Sequence, residues 1–541
     1  MGVPGFFVWL LKNNIQENII LKTLDNVDNL YFDANCLFHP KCFDILKLYS
    51  DLSDTNKLED LMIDRILRYI QYIIDFVKPL KNIYISVDGV APVAKINQQR
   101  KRRYKSVVEK EYMNKINKKH NTKKNTHWSN IVITPGTDFM RKLDLKITDY
   151  CKKNKKIIYS SYKECGEGEH KIIRDIKRNT TKKMVNVIYG LDADLIFLSM
   201  SAHSEINEIY LLRESQHLKN TEQKISDDVR EPLCYLSIQN VIDTYNEYIM
   251  RKLRENCDFT SIDLNIKYDF SKDFILLCFM LGNDFIPNIP SVNIRINGIE
   301  YITQAYCKMF EYTGMYIYDK INKRINWNSL KIIYRNVGDL EDEYFNYSYP
   351  DYKRKIRNRK CNATTDYEIE LWNHENLKDI YIDDKIQLGC GSRDEYKFRY
   401  YEYNFNSRIN QKEFVGKICK NYLETVEWIY KYYFEIDMPS WQHYYSFTCS
   451  PFTSDLCDYL DNNTVETDSK YKEAIDINTQ LISVIPYQYS DILKKCGVNI
   501  EKFDSIETKY MFPTAFELEY QNKDQYWTCE PKLPVVDFDL I

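Results

Sequence analysis

The chain has 541 residues, 44% hydrophobic and 28% charged, with 75 Lys and Arg against 78 Asp and Glu for a formal net charge of −3. That composition excludes global disorder, fibrous repeats and collagen-like segments, and 15 Gly with 15 Pro leave little room for long flexible linkers. Near-neutrality, taken alone, argues against a partner that is a polyanion.

The N-terminal stretch MGVPGFFVWLLKNN has neither a basic n-region nor a small-residue cleavage site, so it does not read as a signal peptide. Asn29 to Phe32 is a β-rich run leading into Asp33. Apolar residues at helical spacing follow over 58–77, namely Leu61, Ile66, Leu67, Ile70, Ile73, Ile74 and Val77. Asn82 to Val87 reads as a strand running into Asp88, and a long basic segment of helical character comes next. A strand over 156–160 precedes Gly166-Glu167-Gly168-Glu169, with a helix over 170–178. Asn186 to Gly190 is a buried-type strand entering Asp192-Ala193-Asp194, followed by a helix over 195–200. The apolar helix 272–281 ends at Gly282-Asn283-Asp284. Such alternation predicts a doubly wound, mostly parallel α/β sheet.

Residues 320–400 read as charged and irregular, with a basic run at Lys353, Arg354, Lys355, Arg357, Arg359 and Lys360. Helical periodicity returns over 411–433, and the tail beyond Met511 reads as extended packing segments. No apolar run approaches the ~20 residues of a membrane helix. Fifteen dispersed cysteines with no C-x-x-C spacing indicate neither zinc pairs nor a disulfide framework, and suit a reducing, intracellular compartment.

Three of these strands end in, or within a few residues of, an aspartate: Asp33, Asp88 and Asp192. Ligands of open α/β sheets bind at the carboxyl ends of the strands. Glu167/Glu169 and Asp192/Asp194 have i,i+2 spacing, which in extended backbone places both carboxylates on one side. With Asp284, seven carboxylates converging at one edge would repel strongly unless cations neutralised them. Hard oxygen ligands suit Mg²⁺ or Mn²⁺, and so many suit two ions, a combination used for phosphodiester hydrolysis. Two scarce glycines among two glutamates suggest a backbone that must approach something closely.

The second constellation is basic. Residues 95–124 hold twelve Lys and Arg against Glu109 and Glu111. A positive helix starting just after Asp88 is what a polyanionic substrate beside a metal site requires. Gln98 and Gln99, among those cations, are suited to share phosphate contacts.

At these residues the chain resembles a known family. MGVPGFF, SVDGVAPVAKINQQRKRR, ITPGTDFM, GEGEHKI, YGLDADLIFL and LCFMLGNDFIPNIPS are similar, in order, to the signature blocks of Xrn-type 5′→3′ exoribonucleases. The resemblance continues through YLETVEWIYKYYFEIDMPSWQHYYSFTCSPFTSDL, TQLISVIP and FPTAFELEY…LPVVDFDLI, and is weakest between about 310 and 410. It implies a nuclease catalytic region over 1–310 with a protruding basic helix at about 97–126. A variable charged connection over 311–410 and a mostly helical second conserved region over 411–541, packing on the first and wrapping the active site, complete the layout. The fold implied is a sheet of the PIN/flap-nuclease kind.

The resemblance implies that Asp33, Asp88, Glu167, Glu169, Asp192, Asp194 and Asp284 are catalytic and hold two Mg²⁺ ions, with Mn²⁺ as a substitute. It implies that Lys95, Gln99, Arg102 and Arg103 hold a terminal 5′ monophosphate, and that His39 stacks on a base with Trp441 as partner aromatic. The implied reaction is processive 5′→3′ hydrolysis of single-stranded 5′-monophosphorylated RNA to mononucleotides, as in RNA decay. Two alternatives stay open: a structure-specific nuclease of the flap-endonuclease type, and a non-catalytic RNA-binding relative. Gly5 and Val8 stand where the family usually has basic residues. The resemblance ends with the second conserved region, so the expectation is a chain lacking the C-terminal extension modules, with a protein activator or decapping partner in their place. The expected state is a monomer, in the cytoplasm rather than the nucleus, or, for a viral genome, in the host cytoplasm or virion.

Overall fold

The computed structural model describes residues 6, 9–10, 19–122, 128–190, 192–215, 226–256, 267–409, 411–466 and 473–541. The MGVPGFF block apart from Phe6, together with Val8, Lys123 and Lys124, lies outside the described residues. Two compact units make up the chain: a sheet unit of Gln16–Asn240, Glu473–Leu518 and Glu530–Ile541, and a helical unit of Met1–Ile15, Val241–Lys472 and Glu519–Cys529.

In the sheet unit the elements run β1 (Ile20–Leu21), β2 (Asn29–Asp33), α1 (Ala34–Leu48), α2 (Thr55–Val77), β3 (Asn82–Ser86), α3 (Val93–Lys119), α4 (Asp138–Cys151), β4 (Ile157–Ser160), α5 (Gly168–Arg178), β5 (Met184–Tyr189), α6 (Asp194–Ala202), β6 (Asn207–Glu214) and β7 (Leu233–Ser237). The strand order is β1-β7-β6-β5-β2-β3-β4. Strands β2 to β6 are parallel, whereas β7 and β1 add an antiparallel edge. The order reverses beside β2, which lies between β3 and β5, and such a switch point opens a crevice at the strand ends. Every residue of β2 is buried, as expected of a central strand covered on both faces.

Helix α2 starts where Asp54 accepts hydrogen bonds from the backbone N–H of Asn56 and Lys57, at 3.0 and 3.2 Å. Its apolar stripe, Met62, Ile66, Tyr69, Ile70 and Ile73, packs into one core with Leu30, Phe32, Ile83, Ile85 and Val187 of the strands. A second core joins Ala91, Ile96 and Ile131 to Leu481, Val484, Ile485, Met511 and Phe512, so the C-terminal segments anchor the base of α3.

The helical unit holds α7 (Ile238–Asn256, within which the division of the chain falls), α8 (Ser271–Cys278), α9 (Gly298–Thr313), α10 (Trp327–Asp339), α11 (Tyr349–Arg357), α12 (Asp366–Glu375), α13 (Arg393–Phe405), α14 (Gln411–Phe434) and α15 (Thr453–Asn462). The reading of 320–400 as irregular is therefore corrected: α10, α11, α12 and most of α13 lie there, with shorter helical segments at Glu341–Glu343 and Tyr344–Ser348. The starts of α10, α12 and α13 are set by Asn326, Thr365 and Ser392, the last two with full capping boxes. Helices α11 and α12 bury no residue, so neither carries the apolar stripe that reveals a helix in sequence. Residues 311–410 lie wholly within the helical unit, while 473–518 and 530–541 belong to the sheet unit. The basic helix spans Val93–Lys119.

Candidate active site

Strand register brings the predicted residues of the sheet unit together. Asp33 ends β2 opposite Ser86, and Ser86 is level with Ser160 of β4. Phe32 is level with Tyr189 of β5. The segments leaving these four ends carry Asp88, Glu167 and Glu169, and Asp192 and Asp194. Asp33, Glu167, Glu169 and Asp194 are buried, whereas Asp192 is exposed.

Glycine accounts for how closely the loops approach. The Gly89 N–H donates to the Gly166 carbonyl at 2.9 Å, and the Gly166 N–H to the Val90 carbonyl at 2.7 Å. A Cβ on Gly89 would lie 1.8 Å from the Glu164 carbonyl oxygen, so no side chain fits there. The Gly168 N–H donates to Asp88 Oδ1 at 2.6 Å. A Cβ on Gly168 would come within 3.1 Å of Asp33 Oδ1 and 3.3 Å of Asp88 Oδ1. What the G-E-G-E backbone approaches is thus the pair of aspartates on the neighbouring strand ends.

Crowded, buried carboxylates disfavour their own ionisation. Burial and the neighbouring Asp88, Asp192 and Asp194 hold Asp33 well above the usual carboxylate range. Burial and Glu167 raise Asp88, against the Gly168 N–H and the cations Lys95 and Lys171. Burial, Asp194 and Glu167 hold Glu169 well above its ordinary value. These mutual effects place all six carboxylates in one field. Lys95 reaches into it, its ammonium 2.5 Å from Glu167. Glu169 Oε2 is buried and accepts no hydrogen bond from any described residue. An excess of buried hard-oxygen donors over positive partners is the chemistry of a divalent-cation site. Among the described residues, however, no group of three or more His, Cys, Asp or Glu is arranged to hold an ion as it stands.

Asp284 belongs to the helical unit. Its turn is held by Asn283, whose Oδ1 accepts from the N–H of Phe285 and Ile286 at 2.9 and 3.1 Å. Gly282 has φ +80°, and a Cβ there would meet the Asn288 nitrogen at 2.5 Å. Trp441 is also in the helical unit, buried to 8% exposure just after Ser440, whose carbonyl accepts the Trp428 indole N–H at 2.7 Å.

The cations of α3 divide by role. Arg103 is buried, donating to Thr134 Oγ1 at 2.9 Å and to Gln99 Oε1 at 3.3 Å. Arg102 is exposed. His39 lies in α1 rather than in a loop, and its imidazole is pushed down to about 4 by burial and by Arg102 and Arg103, so it is neutral at physiological pH. His39, Arg102 and Arg103 are therefore neighbours, with Gln99 bonded to Arg103; Gln99 and Arg103 are buried and Arg102 is exposed. Arg100, by contrast, donates to the carbonyls of Pro534, at 2.7 Å, and Met511, and Lys101 pairs with Glu530 at 2.8 Å. Arg100, one of the cations of the basic segment, is thus buried against the C-terminal segment and does not face a substrate.

Three supporting residues escaped sequence reasoning. The Cys36 thiol donates to Asp33 Oδ2 at 2.7 Å, and Asn35 Oδ1 accepts the Asp88 N–H at 3.1 Å. The Lys171 ammonium, brought down to about 8 by burial, bridges the carbonyls of Val87 and Ser161 at 2.9 and 3.0 Å. Their only sequence signal is adjacency to the acidic positions, in Asp33-Ala34-Asn35-Cys36 and in Glu169-His170-Lys171.

Comparison with known proteins agrees with this layout. Residues 1–215 match the family model described as the XRN 5′-3′ exonuclease N-terminus, and residues 267–377 and 350–540 match that of the Xrn1 helical domain. The chain is 26% identical to the human 5′-3′ exoribonuclease 1 over 597 residues, covering 99% of this chain and 33% of that protein. It is 27% identical to 5′-3′ exoribonuclease 2 of Arabidopsis thaliana, covering 99% of this chain and 66% of the relative. For 5′-3′ exoribonuclease 1 of Saccharomyces cerevisiae the identity is 25%, with 99% and 42% covered. The chain thus spans from one third to just under two thirds of the length of these relatives. With both family models matched along its length and the strand-end carboxylates set as described, the chain belongs to the Xrn-type 5′→3′ exoribonuclease family.

Proposed function

We propose that the chain is a metal-dependent 5′→3′ exoribonuclease that hydrolyses single-stranded, 5′-monophosphorylated RNA processively to 5′ mononucleotides. The observation that carries this reading is a set of six crowded carboxylates beside a cationic wall that includes the buried Arg103. Asp33, Asp88, Glu167, Glu169, Asp192 and Asp194 would hold the divalent cations, a role that the family resemblance alone extends to Asp284. Cations bound there supply charge neutralisation at the scissile phosphate and activation of the attacking water.

The remaining work falls to the chain's own residues. Lys95, Gln99, Arg102 and Arg103 receive the terminal phosphate, whose two charges match a guanidinium fork. Arg103 is already oriented by Thr134 and Gln99, so little ordering is needed on binding. Neutral His39 offers a ring to a base without adding charge, and stacking of that kind tolerates any sequence. The role of partner ring falls to Trp441 on the family resemblance alone. A pocket formed by these residues and closed around a monophosphate would refuse a cap or triphosphate, which would make the terminal monophosphate the substrate requirement.

Mononucleotide release from 5′-monophosphorylated RNA, with and without Mg²⁺ and against matched 5′-hydroxyl RNA and flap substrates, tests the proposal. Release that needs both Mg²⁺ and the monophosphate is expected. Rapid flap cleavage indifferent to the 5′ end would favour a structure-specific nuclease instead.

A further inference from the structure

The basic run at Lys353–Lys360 plays no part in the site above. Within residues 345–365 there are six Lys and Arg and a single carboxylate, Asp351. The run lies on α11, which buries no residue, and on the turn that follows. Its inner side is tied down: Lys353 pairs with Asp524 at 3.2 Å, and the Tyr349 hydroxyl donates to Asn522 Oδ1 at 2.9 Å. The far end is braced against α12, where Arg359 donates to Asn376 Oδ1 at 3.1 Å. The Lys378 ammonium caps the end of α11 on the carbonyls of Ile356 and Arg357, adding a positive charge there.

Its outer side is different. Arg354, Lys355, Arg357 and Lys360 are exposed, and only Arg354 has a partner, Asp351 at 2.5 Å. The side chains of Lys355, Arg357 and Lys360 make no ion pair or hydrogen bond with any described residue. Two exposed rings bracket the run in sequence: Tyr347, 71% exposed in the π-helical segment Tyr344–Ser348 that leads into α11, and Tyr381, 92% exposed, three residues beyond Lys378. Like charges held side by side on a braced frame repel one another, and that cost is relieved by a polyanion. Exposed rings near a cationic surface are the features by which single strands are held without regard to sequence.

We propose that α11 and the turn to Lys360, with Lys378, Tyr347 and Tyr381, form a second RNA-binding surface. It holds the backbone of a single strand through residues other than those assigned to the terminal phosphate. The choice of RNA as occupant rests on the proposed function, whereas the surface itself rests on charge and exposure.

The test is a quadruple variant, R354Q/K355Q/R357Q/K360Q, in the full chain, with circular dichroism and Tm confirming the fold. Binding of a 5′-monophosphorylated, unstructured RNA of about 30 nucleotides is followed by fluorescence anisotropy with chelator present, between about 50 and 200 mM salt. Each lost phosphate contact lowers the slope of log affinity against log salt by about 0.7, so a fall of two to three is expected. A 5′-monophosphorylated RNA of about five nucleotides, the size of a single binding groove, is expected to bind and to release mononucleotides as in the wild type. The charge-keeping variant R354K/R357K is expected to keep the wild-type slope. An unchanged slope on the long RNA overturns the proposal, and is what a surface for an acidic protein would give. Equal weakening on both RNAs also overturns it. Because binding is read without turnover, failure of the exoribonuclease reading shows separately, as absent mononucleotide release from the short RNA.

Discussion

The two ends of α3 have similar composition and different physics. At the inner end, Val93 to Tyr104, Arg100 and Arg103 are buried and Lys95 is partly buried, and each meets an assigned group, whereas Arg102 is exposed: Lys95 meets Glu167, Arg100 two backbone carbonyls, and Arg103 Thr134 and Gln99. At the outer end, Lys110, Lys115, Lys118 and Lys119 are exposed, and Ile116 is the buried residue. A count of charge treats these ends alike. Burial separates them, because a desolvated guanidinium must be paired whereas a surface ammonium is satisfied by water. Positive charge near a site is therefore informative where it is buried and oriented.

The strongest way to break this contrast is at the carboxylates that the inner end faces. Glu169→Gln is expected to lower mononucleotide release by about three decades, or ~4 kcal/mol, measured by single-turnover kinetics. Because the change removes one of several crowded charges, the metal-free variant should melt higher than wild type. A lower Tm would show that the carboxylate stabilises the fold.

Arg100→Ala comes next. It orphans the carbonyls of Met511 and Pro534 and should cost about 3 kcal/mol in urea unfolding. A cost under about 0.5 kcal/mol would place Arg100 with the outer lysines. Arg103→Gln should instead leave the fold nearly intact and reduce the preference for 5′-monophosphate over 5′-hydroxyl RNA by about tenfold to a hundredfold.

His39 sharpens the contrast through pH. Its folded-state pKa of about 4 is below the ordinary 6.5, so the unfolded chain takes up a proton that the folded chain refuses. Stability present above pH 6.5 is lost as pH falls toward 4, by about 2 kcal/mol at pH 4.5. In urea titrations at stepped pH, His39→Gln should remove that part of the acid loss. An unchanged pH profile would put His39 in water. The smallest effect belongs to Lys118→Ala/Lys119→Ala, which should shift unfolding free energy by less than about 0.5 kcal/mol.

Much of the sheet unit was legible in the sequence because strands covered on both faces are continuous apolar runs, and β2, β3 and β5 fall where those runs lie. Strands β6 and β7 were missed. Asn207–Glu214 mixes charged and apolar residues, and the antiparallel partner that explains it, Leu233–Ser237, lies nearly twenty residues on. Helices α11 and α12 were missed because they bury no residue, and periodicity reports burial rather than helicity.

By itself the sequence determined which residue types stand at the strand ends and at what spacing, and through them the family. Local order preserves those motifs, so the acidic pairs, the glycines between them and the basic helix could be read before any fold was known. Only the tertiary structure decided which charges work together. It set Arg100 against a carbonyl more than four hundred residues away, Arg103 against Thr134, and Gly168 against two aspartates. Pairing and desolvation depend on contacts between distant segments, and a residue's charge carries no record of what is packed against it.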